Sequence, residues 1–210
     1  MDLFTATNEK YTIDIPDGKF EVYPHFYLEN EANTLFDTLM QDILWKQEKI
    51  TIHGKTVDIP RLSAWYADAG KGYEYSGIYS ESTPWNETLA KIRLEIESTT
   101  GEYFNSVLAN LYRDGNDSVA WHSDNEKSLG DNPIIASLSL GESRDFQIRH
   151  KENRDVKKSF SLPHGSLLLM GKDTQLNWEH QLPKRKRIIK PRINLTYRLI
   201  MNQEFSGDYI

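Results

Sequence analysis

From residue 104 onward the chain is a succession of short apolar segments, 106–112, 133–140, 144–150, 158–162, 166–170, 177–182 and 192–200. They are divided by RDGNDS, LGDNP, LGES, PHGS and PKRKR. The segments are of strand length, and the dividers are rich in the Gly, Pro, Asn, Asp and Ser that close turns. Many short strands with turns between them restrict the architecture to a sandwich, a barrel or a jelly roll.

The N-terminal half reads differently. Residues 1–27 read as extended pieces with a turn at PDGK. Leu35, Phe36, Leu39, Met40 and Ile43 recur at helical spacing and predict a helix over about 29–44. A second helix is predicted from Thr83 as N-cap and Pro84 in the first turn, through Leu89, Ile92 and Ile96, to an exit at Gly101. Between them, KITIHGKTVDIP alternates Ile50/Ile52 and Val57/Ile59 around His53-Gly54, which is a hairpin with a projecting tip. The expectation is one domain over 1–210, with a helical and hairpin region over 1–100 leaning on a β core over 101–210.

Composition narrows the class. At 38% hydrophobic and 11% aromatic residues the chain is a folded globular protein. No window approaches the ~18 apolar residues of a membrane span, and MDLFTATNEK lacks the basic-then-apolar pattern of a signal peptide. The expectation is therefore no membrane partner. With no cysteine, thiolate metal sites, disulfides and cysteine nucleophiles are excluded. That fits a reducing cytoplasm, or the nucleus in a eukaryote. The net charge of −6 is uneven: Arg144 to Arg192 carries 13 Lys/Arg against 5 Asp/Glu. Such a segment is either an ordinary solvated surface or a basic face for a polyanion, with KRKR at 184–187 its densest part.

The last segment, PRINLTYRLI, carries the strongest chemical signal. Arg192, Asn194, Thr196 and Arg198 occupy every second position, with Ile193, Leu195, Tyr197 and Leu199 between them. Strand side chains alternate faces, so the polar four share one face. Arg-x-Asn-x-Thr-x-Arg is expected about 0.002 times by chance from this composition. Such a row suits a small dicarboxylate, because a guanidinium grips a carboxylate by two parallel charge-assisted bonds. Asn110 and Tyr112 likewise share a strand face; alone, such a pair is more often structural.

WHSDNE, residues 121–126, places His122 and Asp124 two apart, a spacing that chance supplies roughly 0.4 times in this composition. A third donor, His180 in NWEHQLP, completes two histidines and one carboxylate. That is the facial triad of non-heme Fe(II) oxygenases, with open positions for a cosubstrate and O2. His25 and His164 adjoin apolar runs and read as core or edge residues, His53 sits at the hairpin tip, and His150 lies in the basic segment.

Together, His122-x-Asp124, His180, Arg192-x-Asn194-x-Thr196-x-Arg198 and Asn110-x-Tyr112 resemble the AlkB family of Fe(II)/2-oxoglutarate dioxygenases. NLYRDGNDSVAWHSDNE, ASLSLGESRDFQIRHK, PHGSLLLM and WEHQLPKRK resemble the branch that includes the animal DNA-repair demethylases. IPRLSAWYADAGKGYEYSG resembles that branch's nucleotide-recognition lid, and the likeness runs from about residue 48 to 200. The resemblance implies an α+β fold: a double-stranded β-helix (jelly-roll) core with N-terminal helices and a β-hairpin nucleotide-recognition lid. It implies Fe(II), 2-oxoglutarate and O2 as cofactors, and alkylated nucleic acid as partner of a monomeric enzyme.

Carried over by position, the resemblance assigns iron to His122, Asp124 and His180. It assigns 2-oxoglutarate to Asn110, Tyr112, Arg192, Asn194, Thr196 and Arg198, with Arg192 on the far carboxylate. It assigns the flipped base or its phosphates to Tyr73, Glu74, Tyr75 and Ser76, with Tyr75 stacking on the base opposite His122. Arg61 is a further nucleic-acid contact, and Ile52, His53, Gly54 and Lys55 form the hairpin that fills the gap left by the base. The implied activity is oxidative demethylation of bases such as 1-methyladenine and 3-methylcytosine in DNA, with RNA left open, releasing formaldehyde, succinate and CO2.

Two departures stand out. Asn125 occupies a position that is often acidic in relatives and there meets the damaged base, so a cationic base gains no negative neighbour. His53 replaces the bulkier aromatic wedge of duplex-specific relatives. Two other readings stay open. One is the same iron chemistry on a protein or small molecule; the other is a binding module without catalysis, which leaves the polar strand face unexplained.

Overall fold

Alternation in the C-terminal half is realised as a chain that crosses back and forth between two sheets. The structure, a computed structural model, describes residues 9–52, 54–70, 73–75, 78–80 and 83–201. In chain order it runs β1 (Tyr11–Ile13), β2 (Phe20–Tyr23), α1 (Glu29–Asp42), β3 (Lys49–Ile52), β4 (Lys55–Asp58), β5 (Leu62–Ala67), β6 (Tyr73–Tyr75), β7 (Ile78–Ser80) and α2 (Glu87–Thr100). The second half comprises β8 (Ser106–Tyr112), β9 (Val119–His122), β10 (Ile135–Gly141), β11 (Arg144–His150), β12 (Lys157–Leu162), β13 (Ser166–Met170), α3 (Thr174–Asn177), β14 (Trp178–Leu182) and β15 (Arg192–Arg198).

The larger sheet has the order β1-β2-β13-β10-β15-β8-β5 and the smaller β12-β11-β14-β9. From β8 to β15 the chain visits large, small, large, small (twice), large, small and large sheet in turn. This is the jelly-roll core of an α+β fold. The N-terminal half supplies β1, β2 and β5 to the larger sheet as well as the helices and hairpins. The extended pieces expected on either side of PDGK are β1 and β2, which pair antiparallel with Tyr11 opposite Val22.

Two apolar layers hold these parts together. Ala109, Leu111, Leu138, Leu140, Leu167, Ile193 and Leu195 pack with Leu39 of α1 and Leu89, Ile92 and Ile96 of α2. The opposite face of the larger sheet gives Trp65, Ile135, Leu168 and Met170, which meet Phe146, Ile148, Leu162 and Trp178 of the smaller sheet. Each Leu, Ile, Phe or Met side chain among them, fully buried, stabilises the fold by ~1.5–3 kcal/mol before entropy is counted. Between the sheets, one region is lined by polar groups instead.

Several local features differ from expectation. The N-cap of α2 is Asn86, whose side chain accepts from Leu89 N at 2.8 Å. Thr83 is instead engaged with β5, its carbonyl accepting from Ala67 N at 3.1 Å. The expected exit holds: Gly101 is left-handed at φ 74°. The strand β9 was not anticipated, because four half-polar residues give no period. His150 is buried edge-on against Trp178 rather than displayed in a basic patch, and His25 is exposed. The 113–117 loop docks on the basic 184–187 loop through Gly115, where Arg185 N donates to Gly115 O at 2.7 Å and Gly115 N to Ile188 O at 2.8 Å. A Cβ there would stand 1.8 Å from Arg185 O, so only glycine permits the approach. Among the described residues no helix is long and apolar enough to cross a membrane.

Candidate functional site

Register assembles the polar face. In the larger sheet Arg192 pairs with Tyr112, Asn194 with Asn110 and Thr196 with Leu108, while β10 places Ser139 opposite Asn194 and Ser137 opposite Thr196. Directly paired residues share a face, so the polar sets of β15, β8 and β10 form one surface between the sheets. Arg192 Nη2 donates to Ser139 Oγ (2.8 Å), Asn194 Nδ2 to Ser137 Oγ (2.7 Å) and Thr196 Oγ1 to Asn194 Oδ1 (3.0 Å).

The smaller sheet faces this surface with the imidazoles. His180 of β14 pairs with His122 of β9 across a register shift, and their rings lie 4.2 Å apart. Asp124 lies two residues beyond the end of β9. One donor atom from each of His122, Asp124 and His180 lies within 4.8 Å of the others. His122 Nδ1 sits 2.8 Å from Ala120 O; since the carbonyl accepts, the ring donates there and keeps Nε2 as a lone pair. Arg198 Nη2 donates to Asp124 Oδ1 at 2.6 Å, while Oδ2 lies 3.8 Å from His180 Nε2. Burial pushes the Asp124 carboxyl up, but Arg198, with His180 and His122, outweighs it and holds it at about 2. Burial, with His122, pushes His180 down to about 3. At neutral pH the cluster is thus a carboxylate beside a neutral imidazole, as a divalent cation requires.

The profile of the 2OG-Fe(II) oxygenase superfamily matches residues 19–198. The chain is 44% identical over 188 residues to Alpha-ketoglutarate-dependent dioxygenase alkB homolog 3 of Homo sapiens, covering 85% of this chain and 65% of the relative. It is 38% identical over 189 residues to DNA oxidative demethylase ALKBH2 of Homo sapiens, covering 85% and 72%. The chain belongs to the AlkB family of Fe(II)/2-oxoglutarate-dependent dioxygenases. It spans about two-thirds of the length of the alkB homolog 3 relatives it matches, 65% for the human protein. The match to the superfamily begins at residue 19, well before the likeness read from motifs alone. In fold, the structure of OsALKBH1 superposes with a TM-score of 0.64 at 14% identity, covering 90% of this chain and 100% of that one. A 2OG-Fe(II) oxygenase-family oxidoreductase from Burkholderia pseudomallei gives 0.57 at 13%, covering 85% and 84%.

The family's cofactors are Fe(II), 2-oxoglutarate and O2, and the AlkB-family cavity found here fits them on its own chemistry. It brings together every residue expected to hold iron or 2-oxoglutarate: His122, Asp124, His180, Asn110, Tyr112, Arg192, Asn194, Thr196 and Arg198 all line it. At one end Arg192 is 2% exposed, lies 5.4 Å from the centre of the Tyr112 ring, and has a buried Nε without a partner. No carboxylate among the described residues forms an ion pair with it. Burial pushes its guanidinium down to about 10, which leaves it charged at neutral pH. A buried cation lacking an anion is a seat for the far carboxylate of a diacid. The two arginines of the polar row therefore differ: Arg198 is already engaged by Asp124, and Arg192 is open.

Other expected residues lie elsewhere. Arg61 is 6% exposed and forms part of the cavity wall, its Nε donating to Asn110 Oδ1 at 2.8 Å, rather than standing on an outer surface. Asn125 is exposed beside the site. Ile52, Gly54 and Lys55 belong to the β3–β4 hairpin, where Ile52 pairs with Lys55. Tyr73, Glu74 and Tyr75 form β6, and His53 and Ser76 lie outside the described residues. Sequence reasoning missed Ser137 and Ser139, whose i, i+2 spacing is the same signal as in β15. It also missed Phe146, stacked on His180 at 5.2 Å, and Gln175, for which nothing local gave a cue.

Proposed function

We propose that this chain is an oxidative demethylase that restores N-alkylated bases such as 1-methyladenine and 3-methylcytosine in DNA, with RNA a further polymer to be tested. The observation that carries the reading is a single cavity holding a His/Asp/His cluster, with Asp124 and His180 buried and His122 half-buried, opposite a buried arginine without an ion-pair partner among the described residues. It is supported by the likeness to relatives whose names describe DNA oxidative demethylation. His122, Asp124 and His180 would hold Fe(II); Arg192 with Tyr112 would hold the far carboxylate of 2-oxoglutarate, and Asn110, Asn194 and Thr196 would line its flank. When bound, iron with 2-oxoglutarate and O2 supplies the oxidation: one oxygen atom enters an N-methyl C–H bond and the other ends in succinate as CO2 leaves. The hydroxymethyl base then breaks its N–C bond: the electron pair of that bond returns to the ring nitrogen, formaldehyde leaves, and the hydroxyl proton passes to water.

The chain's part is orientation and exclusion. Leu108, Val119, Phe146, Met170 and Leu182 wall the cavity with apolar surface, which keeps bulk water from the reacting carbon. Reaching a base in a duplex costs a few kcal/mol of unstacking. Stacking on Tyr75 would return ~1–3 kcal/mol of that, and the 184–187 loop would attract phosphates. We take the chain to act as a monomer, with one domain over 1–210.

Purified protein with Fe(II) and 2-oxoglutarate, presented with methylated single- and double-stranded DNA and RNA oligonucleotides at stated salt, tests this by formaldehyde release. Release tied to succinate formation is expected. Binding of Fe(II) and 2-oxoglutarate without formaldehyde from any oligonucleotide would overturn the substrate assignment. Asn125 favours a second reading, in which the substrate is a protein or small molecule. Succinate formation stimulated by such a substrate and indifferent to oligonucleotides would select it.

A further inference from the structure

Asp124 is fixed at a point that neither histidine nor arginine supplies. Its backbone N–H donates to the side-chain Oε1 of Gln175 at 2.8 Å, across 51 residues of sequence. Gln175 is fully buried at 0% exposure and lies on α3, between β13 and β14. That short helix is anchored on several sides. Thr174 Oγ1 accepts from Lys19 N at 3.0 Å and donates to Lys19 O at 3.1 Å. Lys151 Nζ donates to Gln175 O at 2.6 Å, and Asp173 Oδ1 accepts from Asn132 Nδ2 at 2.8 Å.

We propose that Gln175 is a positioning residue for the metal centre: its amide oxygen holds the Asp124 backbone so that Oδ2 faces the histidines while Arg198 holds Oδ1. This rests on the metal reading of the cluster given above. The amide has two ends, and only the oxygen can accept; turned over, its NH2 would confront the Asp124 N–H donor to donor. The thioether of Met170, 3.5 Å from Gln175 Nε2, accepts weakly and selects the useful orientation. Without the acceptor, the Asp124 N–H would be a buried donor with no partner. The loop would then relax toward water and carry the carboxylate with it. Asp124 is thus gripped at two points, by a neutral amide on the main chain and a guanidinium on one oxygen, leaving a single oxygen directed at a metal.

The test uses the full metal-free chain titrated with Co(II), read by calorimetry and by the visible d–d bands. Gln175→Met keeps length and apolar volume but removes the acceptor. The expected result is about 10- to 100-fold weaker Co(II) binding, the range typical of lost outer-shell partners, with an altered d–d envelope and a chain that still melts cooperatively. A folded Gln175→Met chain with wild-type affinity and spectrum would overturn the proposal. If that variant does not fold, Gln175→Asn decides: it keeps a buried amide but withdraws the acceptor by one methylene from the Asp124 N–H. Weakened binding by Gln175→Asn then supports the proposal, and unchanged binding overturns it. Wild-type protein that binds no Co(II) would overturn the metal reading, and this proposal with it.

Discussion

Replacing Arg192 by methionine should weaken 2-oxoglutarate binding without weakening the protein. The guanidinium is 2% exposed, bonded once to Ser139 Oγ at 2.8 Å, and lies 5.4 Å from the Tyr112 ring centre. It forms no ion pair with a carboxylate among the described residues, so removal leaves no opposite charge stranded. Burying a charge costs several kcal/mol, and exchanging buried ionic groups for apolar ones of similar volume is often neutral or stabilising. The apo midpoint of Arg192→Met should accordingly match or exceed the wild type. A bidentate, charge-assisted grip on a carboxylate is worth about 2–3 kcal/mol, which converts to roughly 30- to 150-fold in Kd.

Thermal melts with Mn(II) in place of Fe(II) separate the two effects. At 100 times its Kd, 2-oxoglutarate stabilises the wild type by ~2.7 kcal/mol, a shift of about 5–11 °C for a chain of this size. The variant at the same concentration, if 100-fold weaker, gains only ~0.4 kcal/mol, or about 1–2 °C. Equal ligand-induced shifts in the two proteins would refute the assignment of Arg192. An apo midpoint lowered by about 10 °C would refute the claim that this charge is uncompensated.

Asp117 is buried and accepts from Arg113 N, Nε and Nη2. Burial pushes its carboxyl up, but those bonds to Arg113 outweigh it and hold it below its usual value. Its contribution should be complete above the unfolded-state value near ~3.9 and vanish as pH falls through the lower folded value. Asp117→Asn should therefore flatten the acid limb of the midpoint-versus-pH curve; an unchanged limb would refute it. Gly115→Ala, whose Cβ would meet Arg185 O at 1.8 Å, should cost about 1–3 kcal/mol. By displacing the 184–187 loop it should also weaken oligonucleotide binding and flatten its salt dependence, measured by anisotropy at two ionic strengths. Asn86→Ala removes the α2 cap and should lower the midpoint by about 2–4 °C for ~1 kcal/mol, with Co(II) affinity unchanged.

Strands and faces were legible in the linear sequence because a pleated strand repeats every two residues, whatever it packs against. That period marked Arg192, Asn194, Thr196 and Arg198 as one face, and Asn110 with Tyr112 as another, before any fold was known. The donor types were equally legible: without cysteine, His122, Asp124 and His180 offer only nitrogen and oxygen. The turn at PDGK made the extended pieces β1 and β2 legible by their punctuation, whereas β9, too short to show a period, was not legible. The α2 cap was misplaced because Thr83 and Asn86 are chemically interchangeable as caps, and only the engagement of Thr83 with β5 decides between them.

What the tertiary structure alone decided is which of these residues meet. The pairing of His122 with His180, and of β15 with both β8 and β10, is set by register between segments far apart in sequence. No local window contains that information. The same long-range packing divides two identical arginines, binding Arg198 to Asp124 and leaving Arg192 unpaired against Tyr112. It also turns Gln175, unremarkable in the chain, into the acceptor that holds the Asp124 main chain. Residue chemistry is local and can be read in order; partnership depends on two sheets closing face to face, and so belongs to the fold.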